Sequence, residues 1–172
     1  CRGILSIRRF RFALADQAAA VIAVEFDERL AKELSARVTA SNLRVISQDI
    51  LSFDLTTLPP DYKVVANIPY YLTSNLIRVL SETPNPPRRA TLLIQKEVAE
   101  RVAAKPGAMS LLSVTAQFYW QVSLGQLVPA ELFEPAPKVD SRILSMERRP
   151  EPLFDVDTKK FFRLAKAGFA QR

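Results

Sequence analysis

Apolar runs that close on a polar side chain alternate along this sequence with stretches of helical spacing. Val21–Glu25 (VIAVE) is an apolar run ending in an acid, the pattern of a buried parallel strand. Asp27 is placed to cap a following helix in which Leu30, Ala31, Leu34 and Val38 recur at helical spacing. Leu43–Ser47 is a second strand-like run, closing at Gln48-Asp49. Beyond the Pro59-Pro60 break, residues 63–66 (KVVA) make a third, ending at Asn67. The pattern predicts a helix over residues 73–80, a proline-bearing loop over 83–89 and a fourth strand over 90–95 (ATLLIQ). Helices follow over 97–103 and 109–119, then a closing strand pair over 121–128 and 142–147. Residues 150–152 read as a boundary. From residue 157 to 169 the chain reads as a basic amphipathic helix with Phe161, Phe162, Leu164, Ala165 and Phe169 as its apolar positions.

Alternating strands and helices predict an α/β fold built on an open parallel sheet, in which ligands bind beyond the carboxyl ends of the strands. Glu25, Asp49 and Asn67 all fall at such ends. Acids and asparagines also serve there simply as caps and turns. Three successive strands ending this way weaken that plainer explanation.

Composition narrows the chemistry. The 172 residues, 48% apolar, suit one domain or one domain with a short appendage, and are too apolar for a disordered chain. The single Cys precludes an intrachain disulfide and points to a reducing compartment. The absence of His excludes Ser-His-Asp and Cys-His mechanisms and His-ligated zinc within this chain. The net charge of +6 is concentrated at the ends: Arg2, Arg8, Arg9 and Arg11 in one, Lys159, Lys160, Arg163, Lys166 and Arg172 in the other. That excess suits a polyanion such as RNA, or ordinary solubilising charge. The longest uncharged run, residues 106–130, is interrupted by Gln117, Gln121, Gln126 and several serines, and reads as a buried helix followed by a strand rather than a membrane span.

At the strand ends, an acid such as Glu25 can accept from both hydroxyls of a ribose, and Asp49, one strand over, from an exocyclic adenine amine. Together they suit an adenosine-bearing cofactor. Asn67-Ile68-Pro69-Tyr70 is the sharpest feature. An exocyclic base amine is a poor nucleophile because its lone pair is delocalised into the ring. An Asn oxygen and a carbonyl next to or of a proline can both accept from that NH₂, turning its lone pair out of the ring plane. Pro69 fixes the backbone and brings no competing N–H. An adjacent aromatic can stack on the base. The product cation loses its proton readily, so no strong base is needed.

Residues 67–74 (NIPYYLTS), 94–101 (IQKEVAER) and 132–141 (LFEPAPKVDS) occur in the order of three blocks of the small-subunit ribosomal RNA adenine dimethyltransferases, a family related to the erythromycin-resistance methyltransferases. Residues 167–172 (AGFAQR) resemble the start of that family's C-terminal AF-x-QRRK segment. The resemblance runs from about Ala13 to Arg172. It implies a class I, Rossmann-like methyltransferase domain with a mostly parallel sheet and a C-terminal antiparallel strand, over residues 1–149, and the beginning of a small helical domain over 150–172. It implies S-adenosyl-L-methionine as cofactor and two adjacent adenosines of a 16S rRNA 3′-terminal hairpin as substrate, each dimethylated at N6. It also implies a cytoplasmic, monomeric protein, without metal or membrane association, acting on the immature small ribosomal subunit. Carried over by position, Glu25 would hold the cofactor ribose and Asp49 its adenine. Asn67, Ile68 and Pro69 would orient the target amine, with Asn67 also beside the cofactor. Tyr70 would stack on the target base and Phe133 would contact its other side. Lys96, Arg101 and Lys138 would meet RNA phosphates.

The family's glycine-rich loop, roughly E-x-G-x-G-x-G, should lie some twenty residues before Glu25. The corresponding window, residues 2–12 (RGILSIRRFRF), holds one Gly and four Arg, although Ile4–Ile7 has the pattern of a first strand. The resemblance thus comes with an expectation that the sequence is truncated, edited or variant at both ends and binds S-adenosyl-L-methionine weakly or not at all. The competing function is an RNA-binding ribosome-assembly factor without catalysis. A DNA-adenine or protein-glutamine methyltransferase is disfavoured by Ile68, which replaces the first proline of an N-P-P-Y tetrapeptide, and by the two flanking blocks.

Overall fold

The computed structural model describes residues 16–37 and 40–170. The suggested strand at Ile4–Ile7, the arginines of the 2–12 window and Val38 lie outside them. The chain up to Asp54 groups with Glu131–Ala136 as one unit, and Leu55–Ala130 groups with the chain from Pro137 onward as a second.

In the first unit, β1 (Val21–Glu25) and β2 (Leu43–Ser47) pair in parallel, in register from Val21↔Leu43 to Glu25↔Ser47. Between them runs α1 (Glu28–Arg37). Asp27 starts it as expected: its Oδ1 accepts from the Arg29 and Leu30 amides at 2.9 and 3.1 Å. Leu34 packs with Ala23 of β1, and Ala40, Leu43 and Val45 complete this small core.

The second unit is a four-stranded mixed sheet in the order β3-β4-β6-β5. β3 (Lys63–Asn67) and β4 (Arg89–Gln95) are parallel, as their apolar runs predict. β5 (Trp120–Val128) and β6 (Ser141–Arg148) are the antiparallel closing pair. β6 is inserted between β4 and β5, so it hydrogen-bonds on both sides and must be apolar where it faces the helices. Ala90, Leu92 and Ile94 of β4 and Leu144 and Met146 of β6 are fully buried, and the register sets Ala90 opposite Met146 and Leu92 opposite Leu144.

The helices α2 (Thr73–Glu82), α3 (Lys96–Val102) and α4 (Leu111–Tyr119) lie where the spacing predicts them, with ends displaced by one or two residues. In α2, Thr73, Leu76, Ile77 and Leu80 form one buried stripe. α4 opens on a capping box in which Ser113 N donates to Ser110 Oγ at 3.3 Å and Ser110 N to Ser113 Oγ at 2.9 Å. It runs directly into β5 at Trp120. The buried Trp120 Nε1 donates to Ser81 Oγ at 2.8 Å, and Ser81 Oγ donates in turn to the Ile77 carbonyl at 2.6 Å. Arg148 lies over the Tyr119 and Trp120 rings, 4.7 and 5.1 Å from their centroids, and donates to the Ser81 carbonyl at 3.1 Å. Burial lowers its pKa from the usual guanidinium value.

The last helix, α5 (Thr158–Ala170), is capped by Asp157, whose Oδ1 accepts from Lys160 N at 3.0 Å. Phe161 stacks on Phe118 at 4.9 Å, and Phe162 on Tyr119 at 5.9 Å. Leu164 departs from its expected apolar role and is 71% exposed. The anchoring face is the one carrying Phe161, Phe162, Ala165 and Phe169, and Leu164 projects beyond it. Among the described residues no helix is long and apolar enough to cross a membrane, and no cluster of metal-ligating side chains occurs.

Ser81→Ala strands the buried indole N–H of the only tryptophan and should cost about 1–3 kcal/mol. Urea unfolding followed by Trp120 fluorescence measures this, and an unchanged midpoint would refute it. Tyr62, which donates to the Asn85 carbonyl at 3.0 Å, has its pKa pushed up to about 12 by burial. The neutral phenol is the form the fold favours, so its contribution is complete below pH ~10 and is lost as pH rises towards ~12. Tyr62→Phe should show a shallower loss of stability across that window than the parent chain.

Candidate functional site

In the first unit the candidate residues are the two carboxylates that follow neighbouring parallel strands. Glu25 ends β1 opposite Ser47, and the Gln48 amide continues the ladder by donating to the Glu25 carbonyl at 3.0 Å. Asp49 therefore stands two residues past β2, one strand spacing (~4.8 Å) from β1. Both acids are held by short local bonds. Glu25 Oε1 accepts from Asp27 N at 3.3 Å, and Asp49 Oδ1 from Leu51 N at 3.0 Å. The Asp49 carbonyl accepts from Ser52 N at 3.1 Å and Ser52 Oγ at 3.0 Å, which closes the turn. Between the two acids in sequence, Phe26 is 76% exposed, an aromatic ring held in water immediately after Glu25. The strand-end pattern that singled out the acids passed over it, although an aromatic directly after a strand-terminal acid is itself a readable signal. Phe133 lies in Glu131–Ala136, which groups with this unit, and is buried.

In the second unit the tetrapeptide leaves β3 at its carboxyl end. Asn67 is exposed and its carboxamide makes no hydrogen bond among the described residues, whereas Ile68 is buried and anchors the turn. Pro69 (φ −54°, ψ 136°) leads into a single 3₁₀ turn, Tyr70–Leu72. Its carbonyl accepts from Leu72 N at 3.0 Å. Of the two carbonyls the sequence offers for an amine, Pro69's is thus taken up in the turn, and Ile68's is the one it leaves. Tyr70 is half-buried and its hydroxyl is hydrogen-bonded to Ser141 Oγ at 3.1 Å. Tyr71, next along, is 80% exposed.

The other two sequence blocks meet this end of the sheet. Lys96 N, at the start of α3, donates to the Asp140 carbonyl at 3.0 Å, and Asp140 Oδ1 accepts from Ala130 N at 3.0 Å. Arg142 is bonded to Glu100 Oε1 at 2.9 Å and to the Gly125 carbonyl at 3.2 Å. Lys96 is half-buried, while Arg101 and Lys138 are exposed, and none of the three is in an ion pair among the described residues. The arrangement offers acceptors (Asn67 Oδ1 and the Ile68 carbonyl), an aromatic face and uncommitted cations, which suits an aromatic amine carried on a polyanion. Ser141 was part of a sequence block but carried no expected role, because a serine has no signature apart from the partner it meets.

Residues 11–172 match the model of the family described as ribosomal RNA adenine dimethylase. A ribosomal RNA small subunit methyltransferase A of Streptococcus uberis is 42% identical over 170 residues, which cover 92% of this chain and 59% of that protein. The chain thus spans about 59% of the length of the curated relatives it matches. Among solved structures, a dimethyladenosine transferase from Plasmodium falciparum superposes with TM-score 0.84 at 27% identity, covering 95% of this chain and 60% of that one. The 23S rRNA methyltransferase ErmE superposes with TM-score 0.80 at 31% identity, covering 93% and 65%.

The junction at Asp140 generates a prediction of its own. Asp140→Ala leaves the Ala130 amide without its carboxylate acceptor and should destabilise the chain by about 1–3 kcal/mol. Amide hydrogen exchange at Ala130 should quicken in the same variant. Unchanged exchange there would show that the bond contributes nothing.

Proposed function

Because the chain belongs to the ribosomal RNA adenine dimethylase family, we propose that it serves S-adenosyl-L-methionine-dependent N6-dimethylation of two adjacent adenosines in a 3′-terminal hairpin of 16S rRNA. The observation that carries this reading is the family match over residues 11–172, with the Asn67–Tyr70 turn held open at the carboxyl end of a parallel strand. In this reading residues 1–149 belong to the methyltransferase domain and 150–172 open a helical one. The protein works as a cytoplasmic monomer on the immature small subunit.

The first unit's acceptors fit the cofactor. Glu25 and Asp49 are both acceptors, and the ribose hydroxyls and adenine amine of S-adenosyl-L-methionine are donors. When bound, the cofactor supplies an electrophilic methyl group on a sulfonium. Phe26 supplies an exposed ring to the adenine. The second unit handles the target. Asn67 Oδ1 and the Ile68 carbonyl accept from the adenosine N6 amine and turn its lone pair out of the base plane, while Pro69 fixes their spacing. Tyr70 stacks on the base, which must be unstacked from its neighbours first. Lys96, Arg101 and Lys138 hold phosphates of the hairpin. The proton released by the methylated amine passes to solvent, so the absence of His is no obstacle.

The glycine-poor window at residues 2–12 favours weak cofactor binding, so the test uses millimolar labelled S-adenosyl-L-methionine and small-subunit particles lacking the modification. Label should enter N6-dimethyladenosine. Glu25→Gln and Asp49→Asn should each raise the cofactor KM about 10-fold or more, the scale of a lost charged hydrogen bond. Asn67→Ala should lower kcat ~10²-fold or more with particle binding retained. Particle binding by the parent chain without label incorporation would overturn the enzymatic reading in favour of an assembly factor.

A further inference from the structure

We infer that Ser141 is a positioning residue for Tyr70, fixing the plane of the ring on which the target base stacks. The inference rests on the dimethyltransferase reading above and adds to it a residue outside the tetrapeptide.

Stacking needs only a ring face, which a phenylalanine would supply equally well. The residue after Pro69 is a tyrosine, and its hydroxyl lies 3.1 Å from Ser141 Oγ. Ser141 is 1% exposed, so its hydroxyl has little water to turn to and Tyr70 is its side-chain partner. Its backbone cannot yield either. Ser141 opens β6, the strand paired on both sides, opposite Gln95 of β4 and Val128 of β5. The other end of the tyrosine is equally fixed. Pro69 sets the entry to the turn, and Leu72 N closes it on the Pro69 carbonyl at 3.0 Å. A ring held at its Cα by a closed turn and at its hydroxyl by a rigid strand has both side-chain torsions determined. Its face is then in place before any base arrives. Removing one hydroxyl of the pair keeps the ring and its area but frees its torsions, so each binding event must order them again.

Four variants test this: Ser141→Ala, Tyr70→Phe, the double variant and Ser141→Thr. Transfer to unmodified small-subunit particles is measured at saturating cofactor, with the cofactor KM and the thermal unfolding midpoint measured alongside. Ser141→Ala and Tyr70→Phe should each lower kcat/KM for the particles by ~2- to 12-fold, the cost of ordering one free side chain. The cofactor KM should not move. The double variant should be no worse than either single one, because both break the same bond. Ser141→Thr keeps a hydroxyl on a β-branched strand residue and should recover the rate. Equal kcat/KM in Ser141→Ala and the parent chain, additive losses in the double variant, or a loss matched by an equal change in cofactor KM would each overturn the assignment while the methyltransferase reading stands. A parent chain that transfers no methyl group overturns that reading, and this assignment with it.

Discussion

The corner made by Asp140 and Ser141 is the constraint on which the carboxyl end of β3 and β4 in the second unit depends. Asp140 fixes the start of α3 through its carbonyl and the end of the β5 connection through its carboxylate. Ser141 reaches the tyrosine of the tetrapeptide. The three sequence blocks that carry the family resemblance are therefore the three segments this corner joins. That gives a physical reason for their co-occurrence: each supplies one side of a set of bonds that none can make alone. The corner is rigid because β6 is an interior strand with partners on both flanks.

Most of the secondary structure was legible because each element here is short and sharply bounded. Prolines, strand-end acids and the Asp27 cap mark the breaks. The order of strands was not legible. Local pattern shows that β5 and β6 close the sheet, but placing β6 against β4 depends on the antiparallel match of Ala90 and Leu92 with Met146 and Leu144, a long-range fit. Leu164 was misjudged because helical spacing alone cannot tell the edge of an apolar stripe from its centre, and the stacking of Phe161 and Phe162 on Phe118 and Tyr119 decides where that centre lies.

The candidate site shows the same division. Residue type and pattern were enough to place Glu25, Asp49 and Asn67 at strand ends, since an acceptor beyond a parallel strand is a local property. Which carbonyl of the tetrapeptide is engaged was not local in that sense, since it depends on a 3₁₀ turn that uses Pro69's. Ser141 and Phe26 differ in how much of their setting the sequence shows. Ser141 stands out only through its partner, whereas Phe26 is visible as an aromatic directly after a strand-end acid and the structure adds its exposure.

The two ends of the four-stranded sheet divide stability from chemistry. At the end where β4 starts and β6 finishes, several polar side chains are satisfied within the protein. Trp120 is bonded to Ser81, Arg148 to the Ser81 carbonyl and two rings, Arg89 to Glu147 at 3.0 Å, and Arg149 to the Gln117 carbonyl at 3.2 Å. At the opposite end, the exposed side chains of Asn67, Arg101 and Lys138 make no hydrogen bond or ion pair among the described residues, although the backbone beneath them is tied. Exposed side chains of this kind are met by water, so they add little to the stability of the fold and stay free to exchange that water for a ligand. In the proposed reading, an incoming amine and its phosphates would meet groups that need not first release bonds to the protein, although the long cationic side chains must still be ordered.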